Sequence, residues 1–376
     1  DSSEPLPRLA YLLLAHDSAT LRSTARLLDV LYDASSFFYV HVDAKYAPFE
    51  RSLIEAIKVN RTNVEWAQLY DVQWARWSMI EPALWAMERA SRRGVFDYFI
   101  NLSGDSWPVL TQGSLRKVLR SLAPLSFVAS APQSPTGLRP TARHEFGDGW
   151  HKKQAYPSPM VAEVPALEAH YGSQWMIAHR SFVDLVLSQL ENDDENHRTA
   201  AALLRDWFKF ATIHVEGVGK VRPHIPDETF FPSLLMYYYG SPFGDGLQSD
   251  GDASPKVPLP VEVYERCDDS NGDDDDDKKG RKVRLLRTAF YIRMDEHYPW
   301  SSSKQRYVAP TLDKKARPWG PYYLGAYDLK EIRDFGALFV RKVSDDVDST
   351  LFHVLPVDDH DDIPPIGWPP HNQLAL

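Results

Sequence analysis

The sequence LAYLLLA at Leu9–Ala15 is an unbroken apolar run near the start of the chain. A short run without polar alternation is typical of a strand that is buried on both faces, as strands of parallel sheets are. Apolar residues then recur at helical spacing from Leu21 to Leu31, which predicts a helix. Phe37 to Val42 is a second apolar run, so the opening of the chain predicts a β-α-β unit.

The same alternation continues over the next sixty residues. Strands are predicted at Val64 to Ala67 and Asp97 to Leu102, with helices at Ala47 to Val59 and Met79 to Arg92. Alternating strands and helices of this length indicate right-handed crossovers and an α/β, Rossmann-like fold, in which helices flank a mostly parallel central sheet. No G-x-G-x-x-G follows the first strand, so the dinucleotide-binding fingerprint is missing.

Polar residues come directly after three of these strands. His16 follows the first strand, Asp43 the second, and Ser103 to Asp105 the strand after the helix at Met79 to Arg92. Ligands of open α/β sheets bind outside the carboxyl ends of the strands. We therefore expect these residues to line a cleft at that edge.

Composition excludes several classes of function. The formal net charge of -10 argues against a nucleic-acid partner. A single cysteine, Cys267, rules out intrachain disulfides, multi-cysteine zinc sites and CxxC redox chemistry. No apolar run reaches the roughly 18 residues of a membrane span. Because the chain starts at Asp1 rather than Met, any signal or anchor is expected upstream.

The sequence contains two sequons, one of which indicates a secretory compartment. Asn60-Arg61-Thr62 lies in a polar, turn-like stretch, and Asn60 is predicted to be glycosylated. Asn101-Leu102-Ser103 also fits the pattern, but it falls in a strand that is predicted to be buried, so we discount it.

Pro226-Asp227-Glu228 precedes an apolar run that predicts a helix from Asp227 to Tyr239. Glu228 would then lie in the first helical turn and could act as a general base if it opens into a cleft. In the alternative interpretation, Asp227 and Glu228 only complement the helix dipole.

Five blocks in a fixed order carry a resemblance to a known family. They are Phe38–Asp43, Tyr98–Pro108, Gly172–Trp175 with Arg180–Val183, Pro226–Phe231 and Ala337–Lys342. In kind, order and spacing, the chain resembles the core-2/I-branching glycosyltransferases. This family includes β-1,6-N-acetylglucosaminyltransferases, protein xylosyltransferases and plant β-glucuronosyltransferases.

The resemblance implies a GT-A fold and inverting, metal-independent transfer from a UDP-sugar to a hydroxyl of a glycan or glycoprotein acceptor. The transferred sugar would be N-acetylglucosamine, xylose or glucuronic acid. Glu228 matches the catalytic base of the family, and Asp43 matches the residue on the uridine. Arg341 and Lys342 match the residues on the diphosphate.

The stretch His41–Lys45 holds one carboxylate where most GT-A enzymes carry Asp-x-Asp. Because oxygen-coordinated cations need several oxygen ligands, this is a poor metal site, and we expect no metal cofactor. Trp74 and Trp175 match aromatic positions that wall the sugar site. His16 is included among the donor-binding candidates because it lies at the predicted cleft.

Three residues are acceptor or structural candidates, and two of them stand where the chain departs from the family pattern. The xylosyltransferases have a catalytic Asp where this chain has Gln174, which argues against that specificity. Many members have Asp where Ser106 stands here, and the acid is shifted to Asp105. Asp227 is the third candidate.

The chain is expected to divide into a catalytic core at 1–243, an acidic loop at 244–282, the rest of the same domain at 283–357, and a tail at 358–376. The run Asp273–Asp277 should be solvated, because adjacent like charges repel each other, although an ion site is the less favoured alternative. The segment Pro132 to Pro165 is predicted to be a cleft-lining loop.

The resemblance and the sequon imply the Golgi lumen and a type II membrane protein anchored upstream of this chain. Two rival functions stay open at this point. One is a catalytically silent glycan-binding protein on the same fold. The other is a glycoside hydrolase, which needs a second carboxylate opposite Glu228, and no such partner is evident.

Overall fold

A computed structural model describes residues 5–46, 55, 61–124, 126–131, 171–193, 198–211, 213–215, 219–221, 226–239, 262–263, 289–292, 323–345 and 347–357. The predicted glycosylation site Asn60, the loop from Pro132 to Pro165 and the run Asp273–Asp277 lie outside these residues, as does the helix predicted at Ala47 to Val59 apart from Glu55.

The strands are β1 (Leu9–Ala15), β2 (Phe37–Val42), β3 (Val64–Ala67), β4 (Tyr98–Ser103), β5 (Ser106–Pro108), β6 (Phe127–Ala131), β7 (Tyr171–His179), β8 (Ile213–Val215), β9 (Gly219–Val221), β10 (Glu262–Val263), β11 (Phe290–Ile292) and β12 (Phe339–Arg341). The α-helices are α1 (Ser18–Leu31), α2 (Glu81–Arg93), α3 (Gln112–Ser121), α4 (Arg180–Glu191), α5 (Ala200–Phe210), α6 (Phe230–Tyr239), α7 (Leu329–Phe335) and α8 (Leu351–Val354).

The central sheet has seven strands in the order β10-β6-β7-β4-β1-β2-β3. Strand β7 runs antiparallel to its neighbours β4 and β6, whereas the other four pairs are parallel. Helices pack on both faces, so the predicted α/β fold with a mostly parallel central sheet is confirmed. A second sheet, β11-β12-β5, and the β8-β9 hairpin complete the described strands.

Strand β1 explains why its sequence is apolar throughout. Alternate side chains of a strand point to opposite faces. Leu9, Tyr11 and Leu13 pack in the layer that contains α1, α3 and the second sheet, whereas Ala10 and Leu12 pack in the layer that contains α2, α4, α5 and α6. Both faces are therefore covered, and no position of the strand needs a polar residue.

Several boundaries differ from the prediction. The helix expected from Met79 is preceded by a 3-10 turn at Trp77–Met79 and begins at Glu81, where Pro82 suits the first turn because it needs no amide partner there. The helix expected from Asp227 begins at Phe230. The last block of the resemblance, Ala337–Lys342, contains a strand of only three residues, Phe339–Arg341.

The acidic segment 244–282 was expected to be a loop, yet Glu262–Val263 pairs with β6 at the edge of the central sheet. Within the described part of the chain, every helix is too short or too polar to cross a membrane.

Candidate functional site

One edge of the central sheet collects the polar residues that the sequence singles out. His16 and Asp43 follow the carboxyl ends of β1 and β2, and Asp105 follows that of β4. Because β7 runs antiparallel, it brings its early residues Gln174 and Trp175 to this same edge. The topology therefore brings these five predicted residues together.

The second sheet adds Arg341 to this edge. In the β12-β5 pair Arg341 lies opposite Ser106. Its Nε atom lies 3.2 Å from Ser103 Oγ and 3.2 Å from Asp105 Oδ1. Its Cζ atom lies 4.3 Å from the centroid of the Trp175 ring, in cation–π geometry. We call Ser103, Asp105, Trp175 and Arg341 the arginine corner.

The carboxyl of Asp105 is stabilised in its charged form. Burial by itself would raise its pKa, but the positive charge of Arg341 and the hydrogen bond from Ser103 Oγ lower it. Lys342 and His16 add smaller lowering contributions, and the net pKa lies below its ordinary value. The arginine corner is thus balanced in charge before any ligand binds.

The two tryptophans predicted to wall the donor occupy different environments. Trp175 is only 7% exposed and lies beneath Arg341, so it supports the cation. Trp74 is 58% exposed, on the loop that follows β3. Lys342 is partly buried, with its Nζ atom 5.6 Å from the centroid of the Tyr323 ring.

Asp43 is buried and already has partners. Its Oδ1 accepts hydrogen bonds from the backbone nitrogens of Lys45 at 3.0 Å and Val72 at 3.4 Å. Its Oδ2 lies 3.4 Å from Lys45 Nζ. Lys45 also donates to the Val72 carbonyl oxygen at 2.6 Å, which ties the loop carrying Trp74 to the end of β2. Lys45 therefore supplies a positive charge beside Asp43, and its Nζ atom also lies 3.5 Å from Asp71 Oδ1.

Asp227 and Glu228 lie in a 3-10 turn at Pro226–Glu228, ahead of α6 rather than in its first turn. We call Pro226–Glu228 the acidic turn. It packs against β7 and the Trp77–Met79 turn. The predicted start of the helix, at Asp227, is therefore too early. Thr229 N bonds the Pro226 carbonyl oxygen at 3.1 Å, as in a 3-10 turn, and α-helical bonding begins at Phe230.

The carboxyl of Asp227 is in the opposite situation to that of Asp105. It is 4% exposed, and its Oδ1 has no hydrogen-bond partner among the residues the structure describes. Burial and the neighbouring charge of Glu228 raise its pKa to about 8, against smaller lowering effects of backbone amides. Asp227 therefore tends to keep its proton at neutral pH.

Two further residues had no role assigned from the sequence, although Ser103 was expected to line the cleft. His41 is buried in β2, where Nε2 accepts a hydrogen bond from Tyr70 N at 3.3 Å, and burial lowers its pKa to about 4. Ser103 bridges Asp105 and Arg341. Its position at a strand end was the only available signal. Asn101 is buried and donates to the Gln174 carbonyl oxygen at 2.9 Å, which agrees with discounting its sequon.

In the described ranges, no three His, Cys, Asp or Glu side chains are grouped so that they could hold a metal ion. The residues at the strand ends are instead linked to cations of the chain, namely Lys45 at Asp43 and Arg341 at Asp105.

Comparison with known proteins identifies the family. Residues 9–242 match the family model described as core-2/I-branching enzyme, which is more than half of the 376 residues. The chain belongs to the core-2/I-branching enzyme family. The resemblance inferred from the five sequence blocks is therefore confirmed.

The curated relatives are longer proteins. Xylosyltransferase 2 of Rattus norvegicus is 28% identical over 199 residues, and that of Homo sapiens is 26% identical over 245 residues. These alignments cover 49% and 61% of this chain but only 22% and 25% of the relatives. The chain thus spans about a quarter of the length of the curated relatives it matches.

Among solved structures, S. aureus TarS 1–349 in complex with UDP-GlcNAc has a TM-score of 0.27 and 10% identity, and covers 53% of this chain and 52% of its own. The TarS 1–349 structure without a named ligand has the same TM-score and identity, with coverages of 61% and 64%. Similarity at this level says nothing about the substrate of this chain.

Proposed function

We propose that the chain is an inverting, metal-independent glycosyltransferase that moves a sugar from a UDP-sugar to a hydroxyl of a glycan or glycoprotein. Membership of the core-2/I-branching family supports the reaction class. The observation that carries the proposal is the arginine corner, which holds a partly buried cation at the edge of the sheet where α/β proteins bind their ligands.

Departure of UDP from the sugar places negative charge on the diphosphate. Arg341 binds the protein through Nε, and within the described residues neither of its Nη atoms makes a hydrogen bond. Two parallel N–H donors suit phosphate oxygens, and a preorganised cation in a water-poor cleft stabilises developing charge. Lys342 is the adjacent second cation. In this role the pair replaces the divalent ion of other enzymes with this fold.

The nucleoside and the sugar would lie between Asp43 and the tryptophans. Backbone donors of the described residues reach Asp43 Oδ1 and not Oδ2, so Oδ2 would be the atom that accepts from the uracil. Trp74 would cover the donor from its exposed loop, and His16 lies near enough to Asp105 to influence its pKa.

Glu228 would take the proton of the acceptor hydroxyl as that oxygen attacks the anomeric carbon opposite UDP. Asp227, which tends to keep its proton, leaves one negative charge on the acidic turn, so its role is structural or in acceptor binding. Gln174 cannot act as a base, and this disfavours xylose as the donor sugar despite the similarity to xylosyltransferase 2. We place the protein in the Golgi lumen, as part of a type II membrane protein.

The test is UDP release from UDP-N-acetylglucosamine, UDP-xylose and UDP-glucuronic acid in the presence of EDTA. Glu228→Gln should lower turnover by about 10²–10⁴-fold, because a general base contributes that much. Glu65→Gln is the matched control, since Glu65 pairs with Arg89 Nε at 2.8 Å on β3. Equal, near-zero release by wild type and Glu228→Gln with every donor would favour a silent glycan-binding protein instead.

A further inference from the structure

Arg341 makes contacts on one side of its guanidinium. Nε faces Ser103 Oγ and Asp105 Oδ1, both at 3.2 Å, and the plane of the group lies over Trp175. The side chains of Arg341 and Asp105 are 15% and 13% exposed. The inner side of the guanidinium is therefore fixed, while its outer side carries Nη1 and Nη2.

The backbone fixes this arrangement as firmly as the side chains do. Arg341 pairs with Ser106 in the antiparallel β12-β5 ladder, and Val343 N donates to the Asp105 carbonyl oxygen at 2.9 Å. The strand that carries the arginine and the residue that follows it are thus paired with Ser106 and bonded to Asp105. Ser103 Oγ also donates to Asp105 Oδ1, which directs the carboxylate towards Nε.

We propose that Asp105 and Ser103 are positioning residues for Arg341, which hold its Nε so that both Nη amines face the diphosphate of the nucleotide-sugar. This inference rests on the proposed function. It gives a role to Asp105, which stands one position before the aspartate that many family members carry. Asp105 acts through Arg341 and does not itself contact the substrate.

The proposal requires a guanidinium. An arginine has a separate inner donor, Nε, and two outer amines in a planar fork. A lysine ammonium is a single point and cannot bind Asp105 and a phosphate in the same fixed geometry. A positive charge without the planar fork therefore cannot replace Arg341 in the arginine corner. At Lys342 the contact of Nζ with the Tyr323 ring does not require a fork.

The first experiment measures UDP and uridine affinities of Asp105→Asn by calorimetry. Removal of a negative charge would strengthen diphosphate binding if charge were the only effect. Loss of orientation should instead weaken UDP binding about tenfold, the scale of one hydrogen bond to a charged group, and leave uridine binding unchanged. Asp33→Asn is the control, because Asp33 Oδ2 pairs with Arg116 Nη1 at 2.6 Å at similar exposure (21% and 15%).

The second experiment compares conservative exchanges at neighbouring positions. Arg341→Lys should lower the affinity for UDP nearly as much as Arg341→Met does. Lys342→Arg should keep an affinity for UDP within about threefold of that of wild type. Ser103→Ala should weaken UDP binding less than Asp105→Asn, because it removes a neutral partner.

The outcomes separate this inference from the proposed function. If wild type binds no UDP, the proposed function fails. If wild type binds UDP and Asp105→Asn binds it as well as or better than Asp33→Asn, positioning by Asp105 is wrong while the function stands. Full UDP affinity in Arg341→Lys would also overturn the positioning role.

Discussion

The arginine corner contains a partly buried aspartate and the acidic turn a buried one, yet the two carboxyls have opposite pKa shifts. Asp105 has Arg341 beside it, and the pKa falls in spite of burial. Asp227 has Glu228 beside it and no cation among the described residues that affect it, and the pKa rises. Burial raises the pKa of both carboxyls, and the sign of the neighbouring charge decides whether that effect is overcome, as at Asp105, or reinforced, as at Asp227.

The two sites are also suited to different roles, namely the binding of ligand charge and the exchange of protons. The arginine corner is balanced and rigid, as suits a site that receives charge from a ligand without rearranging. The acidic turn is unbalanced and titrates near neutral pH, as suits a region that exchanges protons. The predictions below either break this contrast or measure it.

The largest effect on stability is expected from Arg341→Met, which would leave the mostly covered carboxyl of Asp105 without its cation. Breaking a buried ion pair by removing one partner costs about 3–5 kcal/mol. Urea unfolding at pH 7 should show this loss, and the loss should shrink at acid pH, where Asp105 can take up a proton. Arg26→Met, which opens an exposed pair with Asp345, is the control and should cost at most about 1 kcal/mol.

Adding Asp105→Asn to Arg341→Met should recover much of that stability, because no buried charge then stays unpaired. A single substitution at Arg341 that costs less than about 1 kcal/mol would mean that the two side chains are not coupled as described.

Gly104→Ala tests how closely the backbone next to Asp105 packs against α1. A β-carbon at this position would meet the Thr20 carbonyl oxygen at 2.2 Å and Thr24 Oγ1 at 2.7 Å. Because α1 would have to move, we expect a loss of about 1–3 kcal/mol in the free energy of unfolding.

Gly113→Ala is the matched control for that substitution. Gly113 lies in α3, and a β-carbon there meets nothing within 4 Å. This variant should gain about 0.4–1 kcal/mol, since alanine restricts the unfolded chain. Equal effects at positions 104 and 113 would refute close packing against α1.

Asp105→Asn and Asp227→Asn should give opposite pH signatures in urea unfolding. The folded pKa of Asp105 is lowered, so its contribution is present above the ordinary value of 3.8 and is lost as pH falls. Asp105→Asn should therefore cost about 1–3 kcal/mol at neutral pH and less in acid.

The folded pKa of Asp227 is raised to about 8 from 3.8, so the unfolded chain ionises first. Wild type should lose stability relative to Asp227→Asn as pH rises from about 4 to about 8, by at most about 1.4 kcal/mol per pH unit. Parallel pH curves for wild type and Asp227→Asn would show that this carboxyl does not keep its proton.

The smallest effect on stability is expected at Trp74. Because it is 58% exposed, Trp74→Ala should change the free energy of unfolding by no more than about 0.5 kcal/mol. Trp175→Leu should cost more, since it removes the ring beneath Arg341. If Trp74 covers the donor, Trp74→Ala should raise the KM for the UDP-sugar while the fold is kept. A KM equal to that of wild type would place the donor elsewhere.

The fold was predictable from the sequence because its signal is local. Leu9–Ala15 is apolar at every position, and covering layers on both faces of β1 are the physical reason. The antiparallel direction of β7 was not predictable, because a buried strand has the same composition in either direction. The three-residue strands β5 and β12 are too short to show a period.

The site was predictable only in part. Strand ends and family motifs indicated Asp43, Asp105 and Arg341. The contact between Ser103 and Arg341 joins residues 238 positions apart, and no local pattern encodes such a pairing. The pairing of Asp43 with Lys45 was likewise missed, although the two residues are only two positions apart, because side-chain direction after a strand end depends on the loop that follows.

The central claim, that Arg341 and Lys342 replace a metal at the diphosphate, is tested most directly by calorimetric titration of UDP in EDTA. Wild type should bind UDP in the chelator, and Arg341→Met and Lys342→Met should each bind it about 10–100-fold more weakly once circular dichroism has shown them to be folded. Loss of UDP binding by wild type on chelation, or unchanged affinity in both variants, would contradict the account.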